Sequence, residues 1–436
     1  MPRRSPSAAF PRPPVVALIP LALGLCGAVA MNRASAHEPA AAPAVDPDED
    51  EVAPAPVAPQ HSDLVTVVVG DAVLVKRALT APNGLDLRSA RVEGGHLTAA
   101  LGTATAVLTQ EPALDDKLKR YLDDDARAPY AATVLLEPST GRVLAIAESS
   151  TRGDPHGIAF QPIARAASVF KVVTTSALLE AGVSPNQTVC IHGGKTRMQP
   201  SLLVDTGKDS TCIALGDALA HSKNVAIAKL ALAHLEPDGL RAMARRWGFD
   251  APLPIDAPVA LTASPTSIPD DPFGFANAAA GFGDVKLSAL HGAVLAAIVA
   301  NGGMMVPPPL VDDVKGGELP PPKAPHRVVD ARVAQELAAM MKETVASGTA
   351  HKAFSASPRL NVSAAGKTGS LADYATGLET TWFVGYAPAD HPEVAVATVV
   401  VNTNKWNVRA PAAAKEALRA YFQLHPANSG AAVARR

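Results

Sequence analysis

Three short stretches of this chain carry residue types that could do chemistry together. In Ser168-Val169-Phe170-Lys171 a hydroxyl and an amine stand three residues apart, on one face of a helix. A serine hydroxyl is a weak nucleophile and needs a base. A lysine at its ordinary pKa of ~10.4 is protonated and cannot serve. Buried among the apolar residues of SVFKVVTTSALLEAG, its charged form is disfavoured and the pKa falls. A fall toward 7 is ~3 to 4 units, or ~4 to 5 kcal/mol, within the range of buried lysines. Positive partial charge at a helix N-terminus also favours an anion developing on Ser168. Alone, the pair is better explained as a capping serine beside a surface lysine, so S-x-x-K by itself is not specific.

Ser222-Lys223-Asn224 is the second stretch. A further hydroxyl can relay a proton, and an Asn amide can contact a substrate carbonyl and a lysine ammonium together. A polar helix junction would use the same residues as caps. The third stretch is Lys367-Thr368-Gly369-Ser370. On a strand edge side chains alternate, so Lys367 is expected to face a cleft as a fixed cation. Gly369 would let substrate approach the backbone. Thr368 or Ser370 would hold a carboxylate, and the N–H groups of Ser370 and Ser168 would form an oxyanion hole. Gly366-Lys367-Thr368 also looks like the end of a phosphate loop, but G-x-x-x-x-G-K-[ST] requires glycine where Asn361 stands. Gly194-Lys195-Thr196 fails likewise, with Val189 at that place.

The elements that must hold these groups can be read from the hydrophobic pattern. YAATVLLEP and GRVLAIAES flank Ser139-Thr140-Gly141 and read as a β-hairpin. SVFKVVTTSALLEAG reads as a buried helix ending at Gly182. LGDALAHSKNVAIAKLALAHL reads as two helical pieces meeting near Ser222. AGKTGS, TTWFVGYAP and EVAVATVVVNT read as three consecutive strands, and AAKEALRAYFQL as an amphipathic closing helix. Two early strands, three late strands and a helical insertion predict a mixed α/β domain with an antiparallel sheet whose two ends pair.

The 436 residues divide further by composition. Arg3, Arg4 and Arg12, the apolar run Val15–Met31 and Ala34-Ser35-Ala36 make residues 1–36 a secretory signal or an N-terminal anchor. The run contains Pro20 and falls short of the ~20 residues of a span, which favours cleavage. Residues 37–61, rich in Pro, Ala and acid, read as a linker. Residues 62–110 read as a small β-rich region, 111–426 as the main domain, and 427–436 as a frayed tail. An apolar fraction of 48% and a net charge of −2 describe an ordinary globular chain with no pull toward nucleic acid. Three cysteines and twelve histidines show no zinc spacing, so neither metal nor cofactor is expected. Once a signal is removed, Cys190 and Cys212 remain. Outside the cytoplasm a disulfide between them, worth ~3 kcal/mol in the chain-entropy model, is expected in preference to the alternative of two buried free thiols.

In chain order, S-x-x-K at Ser168–Lys171, S-x-N at Ser222–Asn224 and K-T-G at Lys367–Gly369 are the set found in penicillin-binding proteins and class A β-lactamases. The sequence resembles the penicillin-binding protein transpeptidase domain along most of residues 112–424. AATVLLEPSTGRVLAIAES is similar to that family's opening hairpin, AAGFGDVKLSALHGAVLAAIVANGG to its helix before the third motif, and TTWFVGYAP to the strand after it. The resemblance implies a β-lactamase/transpeptidase-like fold, with helices on both sides of an antiparallel sheet and a helical subdomain. It implies Ser168 as the acylated nucleophile, Lys171 as its base, and Ser222 and Asn224 in proton relay and substrate contact. It implies that Lys367, Thr368 and Ser370 bind the carboxylate of a D-alanyl-D-alanine stem peptide or of a β-lactam. No glycosyltransferase-like segment precedes the domain, so a monofunctional enzyme is expected, at the cell surface or in the periplasm. The expected activity is a D,D-transpeptidase. The alternatives are a D,D-carboxypeptidase or serine β-lactamase, which use water, and a non-catalytic β-lactam sensor or scaffold.

Overall fold

A computed structural model describes residues 64–69, 72–78 and 84–426, save 195–197, 256, 258, 260 and 320. The expected signal segment (1–36), linker (37–61) and tail (427–436) lie outside the described residues.

Short β-prone runs open the described chain. β1 (Leu64–Val69) and β2 (Ala72–Ala78) pair with each other. β3 (Leu85–Glu93), β4 (His96–Leu101) and β5 (Ala104–Leu108) form an antiparallel meander. After α1 (Pro112–Tyr121) comes the expected hairpin of β6 (Tyr130–Leu136) and β7 (Val143–Ser149). A helical lobe follows, holding α2 (Lys171–Glu180), α3 (Leu215–Ala220), α4 (Asn224–His234), α5 (Pro237–Arg246) and α6 (Pro272–Ala279). Three two-stranded pairs brace it: β8 (Ala164–Arg165) with β11 (Lys286–Leu287), β9 (Thr188–Ile191) with β10 (Thr211–Ala214), and β12 (Met304–Met305) with β14 (His326–Arg327). The chain continues through α7 (Ala289–Ala300), β13 (Val311–Lys315), α8 (Ala331–Ala346) and α9 (His351–Ser355). It returns as β15 (Ala365–Asp373), β16 (Leu378–Ala387) and β17 (Val394–Asn402), and ends on α10 (Ala410–Leu424).

The central sheet is antiparallel, in the order β15-β16-β17-β6-β7. Its early and late strands meet at β17 and β6, with Ala397 opposite Val134. All nine residues of β17 are buried, because helices cover both faces. Ala395, Ala397 and Val399 face one core with α7, while Val394, Val396 and Val400 face another with α1 and α10. That is the period-2 alternation of a strand applied to two apolar layers. Each fully buried Val or Leu contributes ~1.5–3 kcal/mol, so the sheet is a rigid base for its edge strand, β15.

The 62–110 region is less separate than its sequence suggests. β13 joins β5 from the far side of the chain, giving the sheet order β13-β5-β4-β3. Leu85, Ala106 and Leu108 then lie in the same core as Val172 and Val173 of α2. VDDVK carries no readable strand pattern, because a bulge between Val311 and Asp313 breaks the alternation.

Candidate active site

Ser168 lies in a 3₁₀ turn, Ala167–Phe170, that runs directly into α2. Three residues per turn place i and i+3 in line, tighter than the α-helix expected from sequence. The Lys171 amine lies 2.8 Å from Ser168 Oγ. It also donates to Ser222 Oγ at 3.0 Å and to Asn224 Oδ1 at 2.5 Å. Lys171 is fully buried, and desolvation, reinforced by nearby Lys367, lowers its pKa well below the usual lysine range.

Ser222 occupies the break between α3 and α4 with φ +54, in the left-handed region. Lys223 N–H donates to Ala218 C=O at 2.8 Å and closes α3 there. This turn delivers the Ser222 hydroxyl and the first side chain of α4, Asn224, to one point.

Lys367 was expected to face the cleft as a fixed cation. It is instead fully buried, donating to Ser222 Oγ at 3.1 Å and to Thr368 C=O at 2.8 Å, and burial lowers its pKa to about 7. Thr368 and Ser370, on the other set of alternating positions, line the cleft. The expectation for Gly369 also changes. A Cβ there would meet Ala166 C=O at 3.0 Å, Trp382 Cβ at 3.2 Å and Ala167 Cβ at 3.3 Å. The space it leaves is filled by the residues just before Ser168, so Gly369 sets how closely β15 approaches Ser168 and does not open onto the cleft.

The Ser168 turn is held from three sides. Gly281, at φ +84, lies so close that a Cβ would fall 2.3 Å from Ala167 C=O. Ala166 N–H donates to Val285 C=O at 2.8 Å. Trp382 Nε1–H donates to Arg165 C=O at 2.9 Å, tying β16 to the strand before the turn. Ala167 itself takes φ +48, a strained value for a residue with a Cβ.

The cleft has a volume of about 1520 Å³, and Ser168, Ser222, Asn224, Thr368 and Ser370 all open onto it. Thr349 was not singled out by sequence. Its Oγ1 lies 2.5 Å from Thr368 Oγ1, and its N–H donates to Ala220 C=O at 3.2 Å. Its only signal was a Gly-Thr pair after a long helix. The aromatic rim of Phe273, Tyr374 and Trp406 was missed for the same reason: single residues from distant loops carry no spacing. On the helical-lobe side Cys190 and Cys212 are disulfide-bonded across β9 and β10. The hairpin they close carries Met198 to the cleft wall. Lys229 anchors it by donating to Cys190 C=O at 3.1 Å and to Asp209 at 2.9 Å.

The arrangement supplies a hydroxyl, a desolvated amine in contact with it, a second hydroxyl shared by two lysines, and a hydroxyl-lined wall. Such a set can take a proton from Ser168 as it attacks a carbonyl and return it to a departing amine.

The family described as the penicillin binding protein transpeptidase domain matches residues 131–421. The peptidoglycan D,D-transpeptidase PbpA of Mycolicibacterium smegmatis is 31% identical over 310 residues, which is 62% of this chain and 61% of that protein. Penicillin-binding protein 2B of Streptococcus pneumoniae is 29% identical over 194 residues, 38% of this chain and 28% of that protein. The chain spans about three fifths of the length of the PbpA relatives it matches. The structure of penicillin-binding protein A from Mycobacterium tuberculosis as its penicillin G acyl-enzyme superposes with a TM-score of 0.58 at 26% identity, covering 74% of this chain and 80% of that one. Penicillin-binding protein 3 of the same organism, with aztreonam, gives 0.63 at 20% identity over 81% and 90%, a likeness of fold alone.

Proposed function

Since the chain belongs to the penicillin-binding protein transpeptidase family, we propose that it is a serine D,D-transpeptidase that cross-links peptidoglycan stem peptides. Ser168 Oγ attacks the carbonyl between two D-alanines while its proton passes to neutral Lys171. The N–H groups of Ser168 and Ser370 receive the oxyanion. The C–N bond breaks, and the proton returns to the departing D-alanine nitrogen through Ser222, leaving an ester on Ser168. An acceptor amine then attacks that ester, restores the hydroxyl and forms the cross-link. Thr368, Ser370 and Thr349 hold the substrate carboxylate, with Lys367 supplying positive charge from behind. A β-lactam enters the same path and stops at the acyl-enzyme.

The observation that carries this reading is the buried Lys171 amine, 2.8 Å from Ser168 Oγ and within reach of Ser222 Oγ. Among the described residues this buried lysine has no carboxylate partner, and a base for serine is the use that fits it. The substrate lies outside the cytoplasm, so residues 1–36 serve export, as a cleaved signal or as an inner-membrane anchor, and 37–61 serve as a tether. No helix among the described residues is long and apolar enough to cross a membrane. We take the catalytic unit as 84–426, because β3–β5 share its core.

The test is to incubate the protein and its Ser168→Ala variant with a labelled penicillin and follow the adduct by mass. A persistent adduct on the parent alone is expected. No adduct on the parent would sink the reading, and an adduct lost within seconds with hydrolysed drug would mark a β-lactamase. D-Ala release from a stem pentapeptide that needs an acceptor amine separates the transferase from a carboxypeptidase. No release at all would mark a sensor.

A further inference from the structure

The cleft continues beyond the hydroxyls that receive the donor's carboxylate. In the β15–β16 register Thr368 stands opposite Phe383 and Ser370 opposite Thr381. Phe383 lies in the core that α10 shares, and Thr381 Oγ1 accepts from Ala410 N–H at 3.1 Å. Both hydroxyls are therefore on the α10 face of the sheet, because cross-strand partners share a face. The cleft wall runs on along that face to Ala372, opposite Glu379, and to Arg409 and Trp406. From Ser370 to Ala372 is two residue steps, or ~7 Å.

Arg409 immediately precedes α10, and its guanidinium is held at the Glu379 row. Nη2 donates to Glu379 at 2.9 Å, and the guanidinium carbon stands 4.6 Å from the centre of the Trp406 ring. Nε is sealed inside the protein. Nη1 is not, and among the described residues it makes no hydrogen bond. The side chain is 41% exposed and lines the cleft, so a fixed cation offers two open N–H donors there. A guanidinium already held in place loses little freedom on binding.

A second cation lies on the same side. Lys352 of α9 is exposed, lines the cleft, and has no acid within ion-pair distance among the described residues. Lys415 of α10 donates to Ala356 C=O at 3.0 Å and ties the end of α9 to α10. Glu379 is the one acid among the described residues lining the cleft, and Arg409 already pairs with it. The wall beyond the hydroxyls is therefore net positive and draws an anion.

A D-alanyl-D-alanine donor does not reach this wall, because it ends at the carboxylate that Thr368 and Ser370 receive. The acceptor does. Its amine must arrive where the D-alanine nitrogen left, so a longer acceptor extends past the hydroxyls toward Arg409. We propose that Arg409 Nη1, with Lys352 adding positive charge, forms an acceptor subsite for a carboxylate carried two to three residues from the attacking amine. The amine forms its C–N bond as the C–O bond to Ser168 breaks, and its proton restores the hydroxyl. This inference rests on the function proposed above and names the class of acceptor.

The test uses the full chain with a labelled stem pentapeptide as donor. The acceptor is triglycine or triglycinamide, compared at equal concentrations of free amine. The two are equal in length, ~10 Å when extended, and differ only in the terminal carboxylate. For the parent, transfer to triglycine should be at least about tenfold greater, the change that one charge-assisted hydrogen bond supplies. Arg409→Gln should bring the ratio close to one, and Arg409→Lys should recover part of it. Lys352→Gln changes an exposed side chain and should lower the ratio about threefold, which serves if the Arg409 variants misfold. Equal transfer by the parent, or a preference that survives Arg409→Gln and Lys352→Gln, overturns the subsite alone. No labelled-penicillin adduct on the parent, or an adduct without transfer to either acceptor, overturns the proposed function and the subsite with it. Benzylpenicillin carries one carboxylate, at the donor's place. Acylation slowed by Arg409→Gln as much as transfer would assign Arg409 to the donor and overturn the subsite.

Discussion

Lys171 and Lys367 reach the same hydroxyl, Ser222 Oγ, at 3.0 and 3.1 Å. Two ammonium ions there would repel in a desolvated pocket, so the cluster favours leaving Lys171 neutral. The sign of the pH dependence follows. Lys171 must be neutral to take the proton of Ser168, and its lowered pKa keeps it neutral to lower pH. Penicillin acylation should therefore fall only as pH drops through that lowered value, well below the ordinary lysine range. Asn224→Asp places a carboxylate where Oδ1 now lies 2.5 Å from the amine. It should stabilise the ammonium and move the acid limb up by about 1–3 units. Acylation rates measured across pH check this, and an unmoved limb would remove Lys171 as the base.

At the scale of elements, the proposed acyl transfer depends on how closely three segments approach. The turn Ala167–Phe170 lies between Gly281 and Gly369, and neither position has room for a Cβ without movement. At Gly281 the obstacle is the Ala167 carbonyl, which is backbone and cannot swing aside. Gly281→Ala should therefore displace Ser168 and slow acylation about a hundredfold, the usual result of a misplacement near 1 Å. Gly239→Ala, in α5 with open space around it, is the control and should leave acylation unchanged. Equal rates in the two variants would mean that the turn tolerates displacement.

At the scale of the molecule, the N-terminal sheet shares the hydrophobic core of the main domain. Leu85 and Leu108 are buried in it, and β13 completes the sheet from a segment that follows α7. Burying two leucines contributes ~3 to 6 kcal/mol, a large share of a net stability of ~5–15 kcal/mol. A chain starting at residue 111 should thus unfold at much lower temperature than one starting at 84, and should aggregate through exposed Val311 and Val314. Thermal unfolding with size-exclusion chromatography compares the two. Matching transitions would show that 62–110 is an independent appendage, as its sequence alone suggests.

Much of this protein was legible in sequence because it is written locally. Strand and helix periodicity predicted the hairpin, the three late strands, the break at Ser222 and the pairing of the sheet's two ends. The spacing of Ser168, Lys171, Ser222, Asn224 and Lys367 marked residues that the structure brings together, because i,i+3 geometry and short motifs are properties of neighbours in the chain. What the tertiary structure decided depends on burial and on distant approach. It turned Lys367 from an expected exposed cation into a desolvated group with a pKa of about 7. It turned Gly369 from a substrate contact into a spacer against Ala166, and it brought Thr349 to Thr368. Desolvation and contact belong to residues that meet only after folding, and no spacing along the chain records them.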